Sequence, residues 1–186
     1  MILASRSPQR RAILERLGVN FSVRVADVEE LSATDDRGDA GPVTVENALR
    51  KARAVAEPGD EAVLGCDTVV VLDGLIYGKP ADETGARRTL RTLSGRTHEV
   101  TSGLAVLLGG GEERTAIART EVTFRAIDDA MLDWYVSTGE WRERAGGYAI
   151  QGAGAALVHS LQGEYENVVG LPVASLIDIY PALVGR

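Results

Sequence analysis

The feature that most constrains the fold is an apolar run with one carboxylate inside it. Residues 62–72 read Ala-Val-Leu-Gly-Cys-Asp-Thr-Val-Val-Val-Leu, and Asp67 is the charged residue among them. Such a β-branched run predicts a buried strand of a sheet. Because an ionised carboxylate is costly to bury unless it is paired or binds a cation, we expect Asp67 at a bulge or end of this strand, facing a cleft. The alternative is that Asp67 caps a loop where the strand frays.

Helical and strand patterns alternate on both sides of this run, which predicts an α/β protein. Asp73-Gly74 predicts a tight hairpin turn after the run. The polar residues 27–42 predict a loop, either a plain surface connection or a lid. Other strands are predicted at residues 2–4, 21–25, 98–108, 115–127 and 155–159. Helices are predicted to begin near Ser7, Thr44, Asp128 and Leu171, the third of them ended by Gly139, and one more is predicted through residues 86–93 and ended by Gly95.

Length and charge limit the classes of protein. The 186 residues contain no repeat and no linker, so one domain is predicted over residues 1–186. The net charge of −7 disfavours nucleic-acid binding, although a basic pocket for a small anion remains compatible with it. The single cysteine, Cys66, cannot form an internal disulfide, and no signal peptide or membrane-spanning run is present. We therefore expect a cytoplasmic protein without nucleic-acid or membrane partners.

The first predicted helix begins with a basic, hydroxyl-rich turn. The segment from Leu3 reads Leu-Ala-Ser-Arg-Ser-Pro-Gln-Arg-Arg, and helix N-termini and arginine both favour anions such as phosphate. The alternative is a solvated basic turn. Lys51 and Lys79 are each typical of surface lysines, but with Asp67 and these arginines they form the acid-and-base composition of a phosphoryl-transfer site. Both ammonium groups are expected in the cleft, outside the core.

A glycine-rich segment near the C-terminus is the last candidate for ligand contact. Gln151 lies in Gly-Tyr-Ala-Ile-Gln-Gly-Ala-Gly from Gly147, where the glycines would let a flat ligand approach the backbone. The alternative is a glycine-rich strand corner. His98, His159 and Cys66 have no metal-ligand spacing and are predicted to be structural. The chain has neither a Walker A motif nor a complete GxGxxG motif, which disfavours P-loop enzymes and dehydrogenases.

These segments, in this order, resemble the Maf family of nucleoside triphosphate pyrophosphatases, once described as septum-formation inhibitors. The resemblance runs from Leu3 to about Pro172. It implies a long twisted mixed β-sheet flanked by helices, with two lobes around a cleft, in a Maf/ITPase-like fold. The segments that carry it are the first turn, Glu29-Glu30, residues 46–54, Gly65-Cys-Asp-Thr-Val-Val, Gly78-Lys-Pro, Leu93-Ser-Gly-Arg-Thr-His, Ala145-Gly-Gly-Tyr-Ala-Ile-Gln-Gly and Asn167-Val-Val-Gly-Leu-Pro.

The resemblance also implies roles for individual residues. Asp67 matches the proposed catalytic carboxylate, and with Glu30 it would hold a divalent cation, Mg²⁺ or Mn²⁺. The residues that match the lining of the triphosphate site are Ser5, Arg10, Lys51 and Lys79. Thr68 and Gln151 match positions linked to base choice and are similar to the dTTP/UTP branch.

One position departs from that branch, which usually has arginine directly after Ser-Pro. Gln9 stands there, and an amide discriminates bases less firmly than a guanidinium, so a broader substrate range is predicted. The implied activity is house-cleaning hydrolysis of nucleoside triphosphates, including dTTP and UTP and extending to modified nucleotides, to the monophosphate and pyrophosphate. The alternative is a nucleotide-binding regulator of cell division with little turnover. Whether the chain forms a homodimer is left open.

Overall fold

The computed structural model describes residues 1–31 and 39–185, which form a mixed seven-stranded sheet flanked by helices. The strand order is β2-β1-β3-β5-β6-β7, and β4 also pairs with β3. The strands are β1 Ile2–Leu3, β2 Ser22–Val23, β3 Ala62–Leu72, β4 Leu75–Tyr77, β5 Thr97–Leu108, β6 Glu113–Phe124 and β7 Val158–Gln162. The helices are α1 Pro8–Arg16, α2 Ala40–Val55, α3 Glu83–Leu93, α4 Asp129–Thr138, α5 Tyr165–Val169 and α6 Val173–Ile179. The predicted α/β class with a mixed sheet is confirmed.

Strand β3 is paired along its whole length on one side only. Its antiparallel pairing with β5 runs from Ala62 to Val71. On the other edge, β1 pairs in parallel with Val63 and Leu64, and β4 pairs with residues 70–72. Residues 65–69 have no strand partner on that edge within the described parts of the chain. The sheet therefore opens beside Asp67.

Two apolar clusters lie on the same face of β3, one on each side of this opening. Leu64 and Cys66 pack in a cluster with residues of α1 and α6, whereas Val70 and Leu72 pack with residues of α3 and α4. Side chains alternate between the faces of a strand, so Thr68 lies on this face between the two clusters. The predicted two-lobed arrangement corresponds to these two clusters.

Helix α2 covers the opposite face of the sheet at unusually short range. A Cβ atom on Gly65 would clash with the backbone carbonyl of Ala48, and one on Gly103 would clash with the carbonyl of Thr44. These glycines lie on the adjacent strands β3 and β5, where no side chain separates helix from sheet. The close approach brings the side chains of α2 to Asp67.

The start of α2 differs from the prediction. The helix begins at Ala40, and Asp39 caps it by accepting a hydrogen bond from the Gly41 N–H at 2.9 Å. Thr44, expected as the cap, is buried inside the helix, where its hydroxyl donates to the Gly41 carbonyl at 2.8 Å. The prediction failed because Pro42 is tolerated in a first helical turn. Of the predicted loop 27–42, residues 32–38 lie outside the described residues.

The ends of other helices and strands differ from the prediction where several local signals compete. The predicted strand 155–159 is wrong at its start, since Gly152–Leu157 forms a short 3₁₀ helix and β7 follows it. The predicted strand 21–25 shortens to β2, and α5 was not predicted. Capping signals were more reliable: Ser7 caps α1, Asp128 caps α4, and Gly139 ends α4 with φ 74°. No helix in the described ranges is long and apolar enough to cross a membrane.

The packing of α2 predicts that Gly103→Ala is strongly destabilising. The added methyl group has no space against the backbone of α2, and overpacking of this kind costs about 1–3 kcal/mol. The measurement is the midpoint of urea unfolding. Gly78→Ala is the control, because a Cβ there meets nothing within 4 Å. Equal midpoints for the two variants would contradict the packing argument.

His98 predicts a second, pH-dependent effect on stability. It is buried beside Phe124 and Tyr148, with its Nε2 2.8 Å from the Tyr148 hydroxyl, and burial lowers its pKa from 6.5 to about 4. Below pH 6.5 the unfolded chain therefore takes up a proton that the folded chain does not. The free energy of unfolding should fall by up to about 3 kcal/mol between pH 6.5 and 4. His98→Gln should flatten this part of the stability profile, whereas His159→Gln, at an exposed position, should leave the His98 contribution in place.

Candidate active site

Asp67 lies in the middle of β3 rather than at a bulge or end, opposite Gly103 in regular register. Only 5% of the residue is exposed. The Lys51 ammonium donates to its Oδ1 at 2.6 Å, and the Asn47 amide donates to its Oδ2 at 3.0 Å. The buried carboxylate is therefore paired with an ammonium, one of the two conditions under which its burial is tolerated. Its position was predicted wrongly, because the opening of the sheet lies within the strand and not at its end.

Lys51 also connects Asp67 to Glu30. Its Nζ lies 2.7 Å from Glu30 Oε1, so one buried ammonium contacts a buried and a half-exposed carboxylate. The expectation that Lys51 lies outside the core is wrong, since the residue is 8% exposed. The reason is that α2 packs directly on the sheet, and the ammonium between them is held by Asp67 and Glu30.

Asn47 is a site residue that the sequence reasoning missed. Besides contacting Asp67, its amide donates to the Leu31 carbonyl at 3.0 Å, and its Oδ1 accepts from the Leu31 N–H at 2.7 Å. Asn47 thus holds the backbone next to Glu30 against α2. Its spacing of four residues from Lys51 puts both on one face of a helix, and that spacing was the available signal.

The carboxylates around Lys51 were tested as ligands for the implied divalent cation. Within the described residues, no three His, Cys, Asp or Glu side chains are grouped closely enough to hold a metal. Asp67 and Glu30 nevertheless both contact one ammonium and so lie close together. Mg²⁺ is commonly bound by one or two carboxylates together with substrate phosphates and water. The residues present fit a cation that arrives with a phosphate ligand.

Arg10 organises a second cluster on the other face of β3. Its guanidinium donates to the Gly170 carbonyl at 2.8 Å, the Ser5 hydroxyl at 3.2 Å and the Thr68 hydroxyl at 3.1 Å. Thr68 in turn lies 2.8 Å from the Ser102 hydroxyl. The fold therefore brings Ser5, Arg10 and Thr68 together. Ser5 and Arg10 are two of the residues that match the lining of the triphosphate site. Thr68 contacts Arg10, whereas Gln9 and Gln151 line a separate pocket.

The two clusters meet at the open edge of β3. Asp67 and Thr68 are consecutive, so their side chains lie on opposite faces of the strand, one toward α2 and the other toward α1. Residues 65–69 lack a strand partner on this edge, so a ligand there would have access to both faces. The arrangement places cations on each side of one buried carboxylate, which suits a polyanion.

Lys79 lies apart from these clusters. Its side chain is 59% exposed, and its Nζ is 3.3 Å from Glu143 Oε2. Among the described residues no contact joins its ammonium to Asp67 or Lys51. The loop after β4 belongs to the lobe with α3, across the opening of the sheet. Its role in binding phosphate stays a prediction.

Gln9 and Gln151 share a pocket of about 250 Å³. It adjoins the Arg10 cluster, because Gln9 precedes Arg10 and Val169 precedes Gly170, which accepts from Arg10. Glu140 also lines the pocket, and both its oxygens accept backbone hydrogen bonds, from Ala153 at 2.9 Å and Gly154 at 3.0 Å. The remaining lining residues are Arg144, Tyr148, Ala149, Ile150, Gly152, Val168 and Val169.

A larger depression of about 420 Å³ lies on the surface of α3. Arg87 and Arg91 line it and form ion pairs with Asp133 and Asp129. Its lining residues all come from one helix, and it contains no residue of the Asp67 or Arg10 cluster. We place the active site at the open edge of β3 instead.

Comparison with known proteins gives consistent results. A protein of Anaeromyxobacter dehalogenans named dTTP/UTP pyrophosphatase is 48% identical over 94% of this chain and 89% of its own length. One of the same name from Pyrococcus furiosus is 41% identical over 96% of this chain and 93% of its own. The alignment with a structure of a HAM1 protein from Coxiella burnetii covers 66% of this chain and 71% of that chain, with 21% identity and a TM-score of 0.49.

The family profile agrees with the sequence segments on which the resemblance rests. The profile described as Maf-like protein matches residues 1–182, which include every residue of the clusters around Asp67 and Arg10. With that match and relatives above 40% identity over nearly the whole chain, the protein belongs to the Maf-like family.

Proposed function

We propose that this protein hydrolyses nucleoside triphosphates to the monophosphate and pyrophosphate, with dTTP and UTP among its substrates. The observation that carries the proposal is the buried Lys51–Asp67 pair at an open sheet edge, beside the Arg10 cluster and the pocket of Gln9 and Gln151. The names of the relatives with 41–48% identity support the same reaction.

The basic side chains would receive the triphosphate. Arg10 has a planar guanidinium already oriented by Ser5 and Thr68, which suits it to phosphate oxygens. Lys51 is held between two carboxylates, and phosphate could replace the half-exposed Glu30 at its ammonium. The charge on the leaving pyrophosphate would then be offset by side chains that are in place before the reaction.

Asp67 would orient the attacking water. An ionised carboxylate has about four lone-pair positions, and the bonds from Lys51 and Asn47 occupy two of them. The remaining positions can accept a hydrogen bond from water directed at the α-phosphorus. As the water oxygen bonds to the α-phosphorus and passes a proton to Asp67, the bond from the α-phosphorus to the bridging oxygen breaks, and pyrophosphate leaves with that oxygen.

A divalent cation, Mg²⁺ or Mn²⁺, belongs to this proposal. Asp67 and Glu30 are the residues that would hold it together with the phosphates. When bound, such a cation neutralises charge on the triphosphate oxygens. A cytoplasmic location and a house-cleaning role are part of the same proposal.

The second candidate is a nucleotide-binding regulator of cell division without turnover. No contact in the described structure favours it over hydrolysis. Hydrolysis uses the Asp67 carboxylate to direct a water molecule, whereas nucleotide binding alone does not require it. Product analysis with purified protein and UTP or dTTP distinguishes the two, since only the enzyme releases pyrophosphate.

We predict that Asp67→Asn lowers kcat by about 10²- to 10⁴-fold, the range for a lost general base. The substitution keeps the shape of the side chain and removes its charge. Pyrophosphate release under saturating UTP is the measurement. Asp60→Asn is the matched control: Asp60 pairs with Arg24 at 2.6 Å outside the site, so its loss should leave turnover intact. Near-normal turnover in folded Asp67→Asn would refute the assignment.

We also predict that Lys51→Met reduces both stability and activity. Removing one partner of a buried pair leaves an uncompensated charge, here on Asp67, at a cost of about 3–5 kcal/mol. The double variant Lys51→Met/Asp67→Asn removes both charges and should recover much of the stability but none of the turnover. A double variant no more stable than Lys51→Met would show that the pair does not account for the loss.

A further inference from the structure

Arg144 is a charged side chain that lines the Gln9 and Gln151 pocket. Its Nε is buried without a hydrogen-bond acceptor. Within residues 1–31 and 39–185, no ion pair or hydrogen bond engages any nitrogen of its guanidinium. An unpaired buried donor costs free energy and is uncommon in native proteins, so it calls for an explanation.

The carboxylate of the same pocket does not supply that partner. Glu140 lines the pocket with Arg144, but its oxygens accept from the backbone of Ala153 and Gly154. Glu143, the sequence neighbour of Arg144, pairs with Lys79 at 3.3 Å instead. The guanidinium therefore lies in a pocket whose acidic neighbours are engaged elsewhere.

The backbone around Arg144 is held on both sides. Its N–H donates to the Trp141 carbonyl at 3.3 Å, and its carbonyl accepts from the Gly147 N–H at 3.0 Å. Among the other polar side chains of the pocket, the amides of Gln9 and Gln151 can each donate or accept. A guanidinium can only donate hydrogen bonds, so Arg144 would select a ligand that places an acceptor atom beside it.

We propose that Arg144 is a specificity residue that donates to a carbonyl oxygen of the nucleobase. This inference rests on the proposed function, because the pocket adjoins the phosphate-binding cluster through Gln9 and Arg10. Uracil and thymine carry carbonyl oxygens at positions 2 and 4, whereas cytosine carries an amino group at position 4. A donor-only group that contacts position 4 accepts the first two bases and rejects cytosine.

The proposal changes the expectation for substrate range. A broad range is expected if Gln9 leaves this pocket without a guanidinium. Arg144 supplies a guanidinium to the same pocket from a distant part of the chain. It therefore compensates for the missing arginine after Ser-Pro, and discrimination between UTP and CTP is retained.

The test compares kcat/KM for UTP and CTP in the wild type, Arg144→Met and Arg144→Lys. We expect the wild type to prefer UTP by about tenfold or more, the scale of one hydrogen bond to a charged group, and Arg144→Met to lose that preference. Arg144→Lys keeps the charge but not the planar donor fork, so it should lose most of the preference as well. Arg142→Met is the matched control, because the exposed Arg142 lies over the Trp141 ring, outside the pocket.

The result that overturns the proposal is an equal loss for UTP and CTP in Arg144→Met, which would indicate a contact with the triphosphate. An unchanged ratio, or a wild type without preference, overturns it too. Binding of UMP against CMP by calorimetry is measured in parallel and does not require turnover. If UMP is preferred and Arg144→Met removes that preference, the inference holds even when no triphosphate is hydrolysed, a result that would refute only the proposed function.

Discussion

The rest of the site depends on the ion pair between Lys51 and Asp67. A carboxylate in the middle of an apolar strand is tolerated because an ammonium reaches it at 2.6 Å. That ammonium is within reach because α2 packs directly on the backbone at Gly65 and Gly103. Larger residues at these two positions would push the helix outward and leave the acid unpaired. The packing of α2 therefore determines both the stability of the buried charge and the position of the Glu30 segment, which Asn47 binds.

The second determinant is the interruption in strand pairing along β3. Pairing with β1 ends at Leu64 and pairing with β4 begins at Val70. Between them the strand presents an edge, with Asp67 on one face and Thr68 on the other. The same interruption separates the two apolar clusters and so produces two lobes. The interruption in pairing along β3 thus explains the cleft and the access to Asp67. It also explains why the cluster around Lys51 and the cluster around Arg10 meet at one edge.

Much of the fold follows from local signals in the sequence. Ser7-Pro8, Asp128 and Gly139 act through capping bonds and backbone angles that involve only neighbouring residues, and all three were predicted correctly. Thr44 shows the limit, because a capping residue is also acceptable inside a helix when an earlier one is available. The spacing of Asn47 from Lys51 indicates a shared helix face, but the contacts of Asn47 and of Arg144 could not be found in this way. Their importance depends on which residues lie opposite them, at sequence separations that no local pattern covers.

The sequence by itself determined the element types, the buried strand with its exceptional acid, and the set of basic residues from which the site is built. These depend on hydrophobic periodicity, caps and the cost of burying a charge. Only the tertiary structure decided which members of that set meet. It placed Lys51 and Glu30 with Asp67, Arg10 with Ser5 and Thr68, and Lys79 with Glu143 instead. The physical reason is that ion pairs and hydrogen bonds depend on distances of a few ångströms, which are set by how helices and strands pack and not by the order of residues in the chain.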